Sequence, residues 1–326
     1  MLRVGLIGAG WVTQHHLAGW QRLAPRAKVV AIADPSRERA SRRASEFGIE
    51  RVYESAEALL DAGQLDAVDI AAPREVHATL VRMAAARGLP VLCQKPLAPT
   101  YDEACALVAE VAGKTRLMVH ENWRFRAYYR QIGAWLKAGR VGRVTQAQMT
   151  LLTSGLLPDA QGKLPTVERQ PFIATLDRAL VMEVLIHHID ALRFLLGDLT
   201  LVHSRLGKQC TGIVGEDRAA LTFTSESGAV VNLLANFCVY GEPPAQADQL
   251  LVIGEQATVR LAGATLSRHG VEAEQLNYDL GACYLDSYAS AIAHFVDALS
   301  ADTPFETSPE DNLRTLALVE QIYARG

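Results

Sequence analysis

Three groups of residues in this 326-residue chain carry side chains that can move a proton or hold a hydroxyl in place. The first is Cys93-Gln94-Lys95-Pro96, where Lys95 can hydrogen-bond a hydroxyl and exchange a proton with it. Pro96 fixes the chain behind it; a surface lysine on a loop is the plainer alternative. The second is Glu183-x-x-x-His187-x-x-Asp190. On an α-helix, offsets of four and three place all three on one face. An imidazole between carboxylates is suited to shuttling protons, although the same three groups can also hold a metal ion. His188 turns away from that face and is assigned to packing. The third is Asn122-Trp123-Arg124-Phe125: Asn122 and Arg124 are suited to orienting a polyol, or else flank a junction packed by Trp123 and Phe125.

A fourth group binds rather than reacts. Gly8-Ala9-Gly10-Trp11-Val12-Thr13 follows an apolar run, Arg3–Ile7, and opens a helical pattern. Glycines there let the backbone turn sharply and approach a pyrophosphate seated on the helix N-terminus. Thr13 stands where the third glycine of such a motif usually falls. Asp34 ends the next strand-like run, at the separation expected for the acid that takes the adenosine ribose hydroxyls. A dinucleotide is therefore expected, held by Gly8, Gly10, Trp11, Val12 and Asp34. NAD is favoured, because Asp34 repels a 2′-phosphate; NADP is the alternative if Arg37 offsets that charge. Asp34 also suits a helix N-cap, which is compatible with ribose binding. Pro73 and Gln94, at the ends of two later strands, are expected to shape the nicotinamide pocket, with His77 more structural. A nicotinamide accepts hydride without a Lewis acid, so no metal is expected.

These residues need elements to place them. Strand patterns at Arg3–Ile7, Lys28–Ala33, Ala67–Ala71, Pro90–Gln94 and Arg116–His120 alternate with helical patterns at Val12–Leu23, Arg37–Phe47, Ala56–Ala62, Val76–Arg87 and Tyr101–Ala112. Such alternation specifies a doubly wound parallel sheet, an α/β fold. Lys95 then lies at a strand's carboxyl end, where ligands bind. Beyond about Arg143 the pattern becomes β-rich, with long stretches at Val144–Leu152, Leu199–Gly207, Ala219–Thr224, Ala229–Tyr240 and Leu250–Leu261. Helical patterns return at Tyr284–Leu299 and Pro309–Tyr323. The expected second domain is α+β, built on a large, mostly antiparallel open sheet. We divide the chain into a nucleotide domain, 1–121, and a substrate domain, 122–326, with the last helix packing back on the first. Ser154–Thr175 is long for a connector and reads as a lid or a poorly ordered loop.

Composition excludes several other classes. A net charge of -4 argues against a nucleic-acid binder, and the basic runs Arg37–Arg43 and Arg124–Arg130 read as helix surface and site flank. The most apolar stretch, Leu180–Leu201, is interrupted by Glu183, His187, His188, Asp190, Arg193 and Asp198, so no membrane span is expected. Met1–Gly10 runs straight into a strand and reads as no leader. Five scattered cysteines (Cys93, Cys105, Cys210, Cys238, Cys283) form no C-x-x-C pair; they offer no zinc framework and fit a reducing cytoplasm.

Together, the glycine loop, the Pro73…His77 segment, Lys95-Pro96, Asn122-x-Arg124-Phe125 and the segment with His187 and Asp190 resemble the glucose–fructose oxidoreductase and inositol dehydrogenase (Gfo/Idh/MocA) family. The resemblance implies a Rossmann domain followed by an α/β domain whose open sheet forms an oligomer interface, and hence a homodimer or homotetramer. It also implies that Lys95 and His187 act at the substrate carbon, with an acid one turn before the histidine. Here Gln94 stands where the family has Glu, Glu183 where it has Asp, and Leu185 where Gly is frequent. Gln94-Lys95-Pro96, Met118-Val119-His120-Glu121-Asn122, Gly215-Glu216-Asp217 and Asp311-Asn312-Leu313 resemble apiose-dehydrogenase-like members, which oxidise a branched pentose to its lactone. The expected activity is hydride transfer between NAD and a sugar or cyclitol carbon. The alternatives are redox-neutral glycoside cleavage with tightly held NAD and a non-catalytic NAD-responsive binding protein.

Overall fold

The computed structural model describes residues 1–245 and 247–326, and the chain divides into two units: Met1–Arg126 with Tyr284–Leu316, and Ala127–Cys283 with Ala317–Gly326. In the first unit, strands β1 (Leu2–Ile7), β2 (Ala27–Ala33), β3 (Arg51–Tyr53), β4 (Ala67–Ile70), β5 (Val91–Gln94) and β6 (Leu117–His120) alternate with helices α1 (Thr13–Gln21), α2 (Arg37–Phe47), α3 (Ala56–Asp61), α4 (Arg74–Ala85) and α5 (Tyr101–Val111). The strands pair in parallel in the order β3-β2-β1-β4-β5-β6. Strand order reverses between β1 and β4, which opens a crevice at their carboxyl ends.

Local chemistry explains the punctuation. Helix α2 starts where Ser36 accepts from Arg39 N and stops at Gly48, in the left-handed region. Strands β4, β5 and β6 are buried at every residue, which is why they read as nearly continuous apolar runs, broken only by Asp69 on β4 and by Gln94 and His120 at the ends of β5 and β6. Asp69, fully buried, accepts from Trp20 Nε1 at 2.7 Å and meets His16 Nδ1 at 2.9 Å. This network fastens α1, and with it the glycine loop, to the centre of the sheet. Behind α1, Ala291, Ile292, Phe295 and Val296 of the returning chain complete the core with Val4, Leu6, Leu17 and Trp20. Burying each such large apolar side chain contributes about 1.5–3 kcal/mol. The expected 121/122 division had returned only the last helix to this domain. In the structure the chain from Tyr284 to Leu316 groups with it, because this core needs those side chains.

The second unit begins with α6 (Ala127–Lys137) and β7 (Val144–Leu152), followed by α7 (Pro165–Arg169) and α8 (Ile186–Leu196). Strands β8 (Leu199–Gly207), β9 (Arg218–Ser225), β10 (Val230–Asn236), β11 (Gln249–Gly254), β12 (Ala257–Ala262), β13 (Thr265–Gly270) and β14 (Glu274–Asn277) come next, before α9 (Leu280–Ala301) and α10 (Pro309–Arg325). The eight-stranded sheet has the order β14-β13-β12-β11-β7-β10-β9-β8; only β10 with β7 is parallel. Alternating burial along β9 and β10 marks one covered face and one open face. The expected run Leu250–Leu261 is two antiparallel strands that turn at Glu255-Gln256. Strands β3, β13 and β14 were not expected: short and half-exposed, they carry little apolar periodicity. The connector Ser154–Thr175 holds α7 and a 3-10 turn, Pro171–Thr175, and is anchored where Thr166 N donates to Gly155 O at 2.8 Å. Among the described residues no helix is long and apolar enough to cross a membrane.

Candidate active site

The glycine loop joins β1 to α1 at the point where strand order reverses. Gly8 has φ +111°, and a Cβ there would lie 2.3 Å from Ala71 O, so only glycine fits between the ends of β1 and β4. At Gly10 an added Cβ would meet nothing within 4 Å; the space over it is open. Val12 precedes α1 with no side-chain cap, which leaves the first helical N–H groups without a side-chain acceptor and suited to an anion. Thr13, at the position of the missing third glycine, is buried and donates from Oγ1 to Gly8 O at 3.2 Å, tightening the turn from within. Trp11 is 44% exposed beside the open space. This cradle fits a dinucleotide pyrophosphate.

Asp34 lies just beyond β2 with little exposure. Its Oδ2 accepts from Ala9 N at 2.8 Å, so the acid and the glycine loop set each other's position. Its Oδ1 accepts from Ser36 N at 2.8 Å and from Arg39 Nη2 at 2.9 Å. Ser36, not Asp34, caps α2. Arg37, the expected partner of a 2′-phosphate, instead pairs with Glu54 at 3.0 Å. Arg39 is the cation on Asp34, and sequence reasoning missed it. Its position in the first turn of α2, facing back toward the β2 end, was the available signal.

Lys95 follows β5 directly, at the same carboxyl edge, and is half-buried. Its backbone N–H donates to the Gln94 side chain at 2.9 Å, and the Lys95–Pro96 peptide is cis. Gln94 therefore restrains the lysine's backbone while carrying no charge. Pro73 forms the N-terminal boundary of α4, and His77 on that helix is buried between two backbone carbonyls, those of Ala72 and Pro96. Burial pushes the His77 ring below the ordinary imidazole range, against the pull of both carbonyls.

The Asn122–Phe125 segment is buried, not solvated. Asn122 Nδ2 donates to Ser287 Oγ at 2.7 Å, and Arg124 Nη2 donates to Asp311 Oδ2 at 2.6 Å. Both side chains thus hold the returning helices within the first unit. Arg126, which sequence reasoning overlooked, has its guanidinium 3.3 Å from the centroid of the Trp123 ring.

Glu183, His187 and Asp190 belong to the second unit. They do not share one regular α-helix, as their spacing had suggested. Residues Leu180–Leu185 form a π-helical stretch, in which Ile186 N donates five residues back to Val181 O, and α8 begins only at Ile186. His187 and Asp190 therefore keep α-helical spacing while Glu183 sits on the widened turn before them. Such insertions concentrate at functional sites. The stretch is held by Glu216, which accepts from Val181 N at 2.9 Å and from Tyr323 Oη at 2.7 Å. His187 and Asp190 are buried and Glu183 half-buried. His188, assigned to packing, is buried with Nε2 3.0 Å from Asp248, which also accepts from Tyr129 Oη at 2.8 Å. Among the described residues no group of three or more His, Cys, Asp or Glu lies together as a metal site.

Comparisons with known proteins identify the family. Residues 2–122 match the oxidoreductase family with an NAD-binding Rossmann fold, and residues 129–260 match the GFO/IDH/MocA C-terminal domain. The chain is 33% identical to D-apiose dehydrogenase of Paraburkholderia graminis, over 98% of its own length and 86% of the relative's. It is 30% identical to D-apiose dehydrogenase of Rhizobium rhizogenes, over 99% and 94%. A solved oxidoreductase from Agrobacterium radiobacter, in complex with NAD+, L-tartaric acid and magnesium, matches with TM-score 0.91 at 29% identity, covering 99% of this chain and 96% of that one. This protein belongs to the Gfo/Idh/MocA family, and its first unit is an NAD-binding Rossmann domain.

Proposed function

We propose that this NAD-dependent oxidoreductase of the sugar and cyclitol dehydrogenase type oxidises an aldose such as apiose at its anomeric carbon, giving the lactone. The observation that carries the reading is the position of Lys95: it directly follows β5, on the sheet edge where Gly8 and Asp34 build the dinucleotide cradle. NAD+, when bound, supplies the hydride acceptor. Gly8, Gly10, Trp11 and Val12 hold its pyrophosphate, Asp34 takes the ribose hydroxyls, and Pro73 and Gln94 border the nicotinamide. As the C–H bond gives up hydride and the carbonyl forms, the hydroxyl proton must leave. In this reading Lys95 holds that hydroxyl and takes up its proton; the family resemblance assigns His187 the part of exchanging base and Glu183 that of the acid which orients it. Asn122 and Arg124 orient the substrate's hydroxyls in this reading, their side chains set in place by Ser287 and Asp311. The two apiose dehydrogenases favour an aldose within this class.

The assembly we propose is a homodimer or homotetramer formed through the open sheet face. Paired positions there present Val230, Leu234, Leu251 and Ile253 outward, with Val230 43% and Leu234 44% exposed. Five free cysteines, four of them buried, support a cytoplasmic location. The test of function is formation of reduced nicotinamide from NAD+ or NADP+ with a panel of aldoses, cyclitols and sugar acids. Reduction with D-apiose or a related aldose is expected. Glycoside cleavage without net NAD reduction, or tight NAD binding with no turnover on any member, would replace the reading with one of its alternatives.

A further inference from the structure

His77 is 1% exposed, and each of its ring nitrogens faces a backbone carbonyl: Nδ1 lies 2.8 Å from Pro96 O and Nε2 2.8 Å from Ala72 O. Carbonyl oxygens only accept, so each contact is a hydrogen bond only when its ring nitrogen carries a proton. A neutral imidazole supplies one such N–H and the imidazolium both. The two carbonyls come from the segments that follow β4 and β5, so one ring spans two loops at the carboxyl edge of the sheet. The second loop carries Lys95, whose own N–H is tethered by the Gln94 side chain at 2.9 Å. Lys95 is thus bracketed by Gln94 on its amide and His77 on the next carbonyl.

We propose that His77 is a positioning residue for Lys95: its imidazole staples the Pro73 loop to the Lys95-Pro96 loop and so fixes where the lysine leaves the sheet. The consequence for turnover rests on the reading of Lys95 as the proton-handling lysine; the staple itself does not. Glu75 on the same helix and Lys95 across the staple are the charged groups whose fields reach the ring, the first favouring its protonated form and the second opposing it. Acid therefore tightens the staple by adding the second N–H.

Three variants separate the bonds. His77→Phe keeps ring volume and removes both; His77→Asn keeps a donor near Nδ1 for Pro96; His77→Gln keeps one near Nε2 for Ala72. Each is measured for amide hydrogen exchange across residues 94–98, NAD+ affinity, melting temperature, and kcat and KM against pH. In His77→Phe, exchange across 94–98 should rise and kcat should fall on the order of 10–100-fold, as a displacement of about 1 Å can produce, with NAD+ affinity little changed. His77→Asn should recover more kcat than His77→Gln, because its donor serves the loop that carries Lys95. The acid enhancement of kcat contributed by the staple should vanish in His77→Phe. If His77→Phe fails to fold, the Asn and Gln pair decides alone. Unchanged exchange at 94–98 overturns the proposal, as does equal recovery by Asn and Gln. Faster exchange with unchanged kcat overturns it too if Lys95→Ala abolishes turnover. If Lys95→Ala keeps turnover while exchange in His77→Phe still rises, the staple stands and the reading of Lys95 fails.

Discussion

The glycine-loop edge of the first unit and the Glu183–Asp190 segment of the second reach their geometry in opposite ways. At the first, the backbone fixes the site: Gly8 is confined by Ala71, Asp34 is tied to Ala9, and Lys95 to Gln94. At the second, side chains are carried on a helix whose hydrogen bonding changes from five-residue to four-residue steps between Glu183 and His187. Backbone-determined geometry tolerates few residue types. Helix-borne geometry depends on a register that several sequences can satisfy. Substitutions should therefore act on affinity and placement in the first region, and on proton handling and substrate preference in the second.

The largest effect is expected from Lys95→Ala. Losing a proton-transfer group at the reacting hydroxyl should lower kcat by about 10²–10⁴-fold, while NAD+ affinity by fluorescence titration stays near the wild-type value. Near-normal turnover would make Lys95 a surface residue and remove the contrast between the regions. Next comes His187→Asn, expected to reduce kcat less and to flatten its pH dependence around neutrality. Glu183→Asp should leave stability nearly unchanged and shift preference among substrates. If both variants keep the wild-type pH profile and substrate order, the π-to-α segment is structural only.

A smaller effect belongs to Arg39. Its guanidinium neutralises Asp34, so Arg39→Ala should exclude NADP+ further and lower its affinity about tenfold, the loss expected for a charge-assisted hydrogen bond. NAD+ affinity should change less. A shift of the ratio in Arg37→Ala instead would return that role to Arg37. The smallest effect is on stability. Burial, with the nearby His16 and Arg43, lowers the His15 imidazole to about 4. Folding thus favours the neutral ring: its stabilisation is complete above the unfolded value near ~6.5 and is lost as pH falls toward about 4. Replacing His15 with Gln should remove that loss, narrowing the fall in melting temperature across this range by about 2–4 °C. An unchanged acid slope would show that His15 does not contribute to it.

How far the sequence was legible follows the same division. Gly8, Asp34, Lys95 and the parallel sheet could be read because tight turns and doubly buried strands restrict residue type. The π-helical stretch could not, because nothing in Leu180–Leu185 departs from an ordinary apolar helix pattern; the Glu216 side chain that holds it comes from a distant segment. Asn122 and Arg124 were read as substrate contacts from their polar character at a junction, while their buried partners, Ser287 and Asp311, lie too far along the chain for the sequence to reveal them. Arg39 was hidden among four arginines in Arg37–Arg43, where only the start of α2 at Arg37 selects the one that reaches Asp34.

The central claim is that hydride leaves the anomeric carbon of an aldose for NAD+ while Lys95 manages the hydroxyl proton. Incubating the protein with NAD+ and D-apiose deuterated at that carbon, then weighing the reduced cofactor by mass spectrometry, tests it most directly. One deuterium per reduced nicotinamide is the predicted result. Turnover that yields unlabelled reduced cofactor, or consumes the sugar without reducing any, would contradict the account.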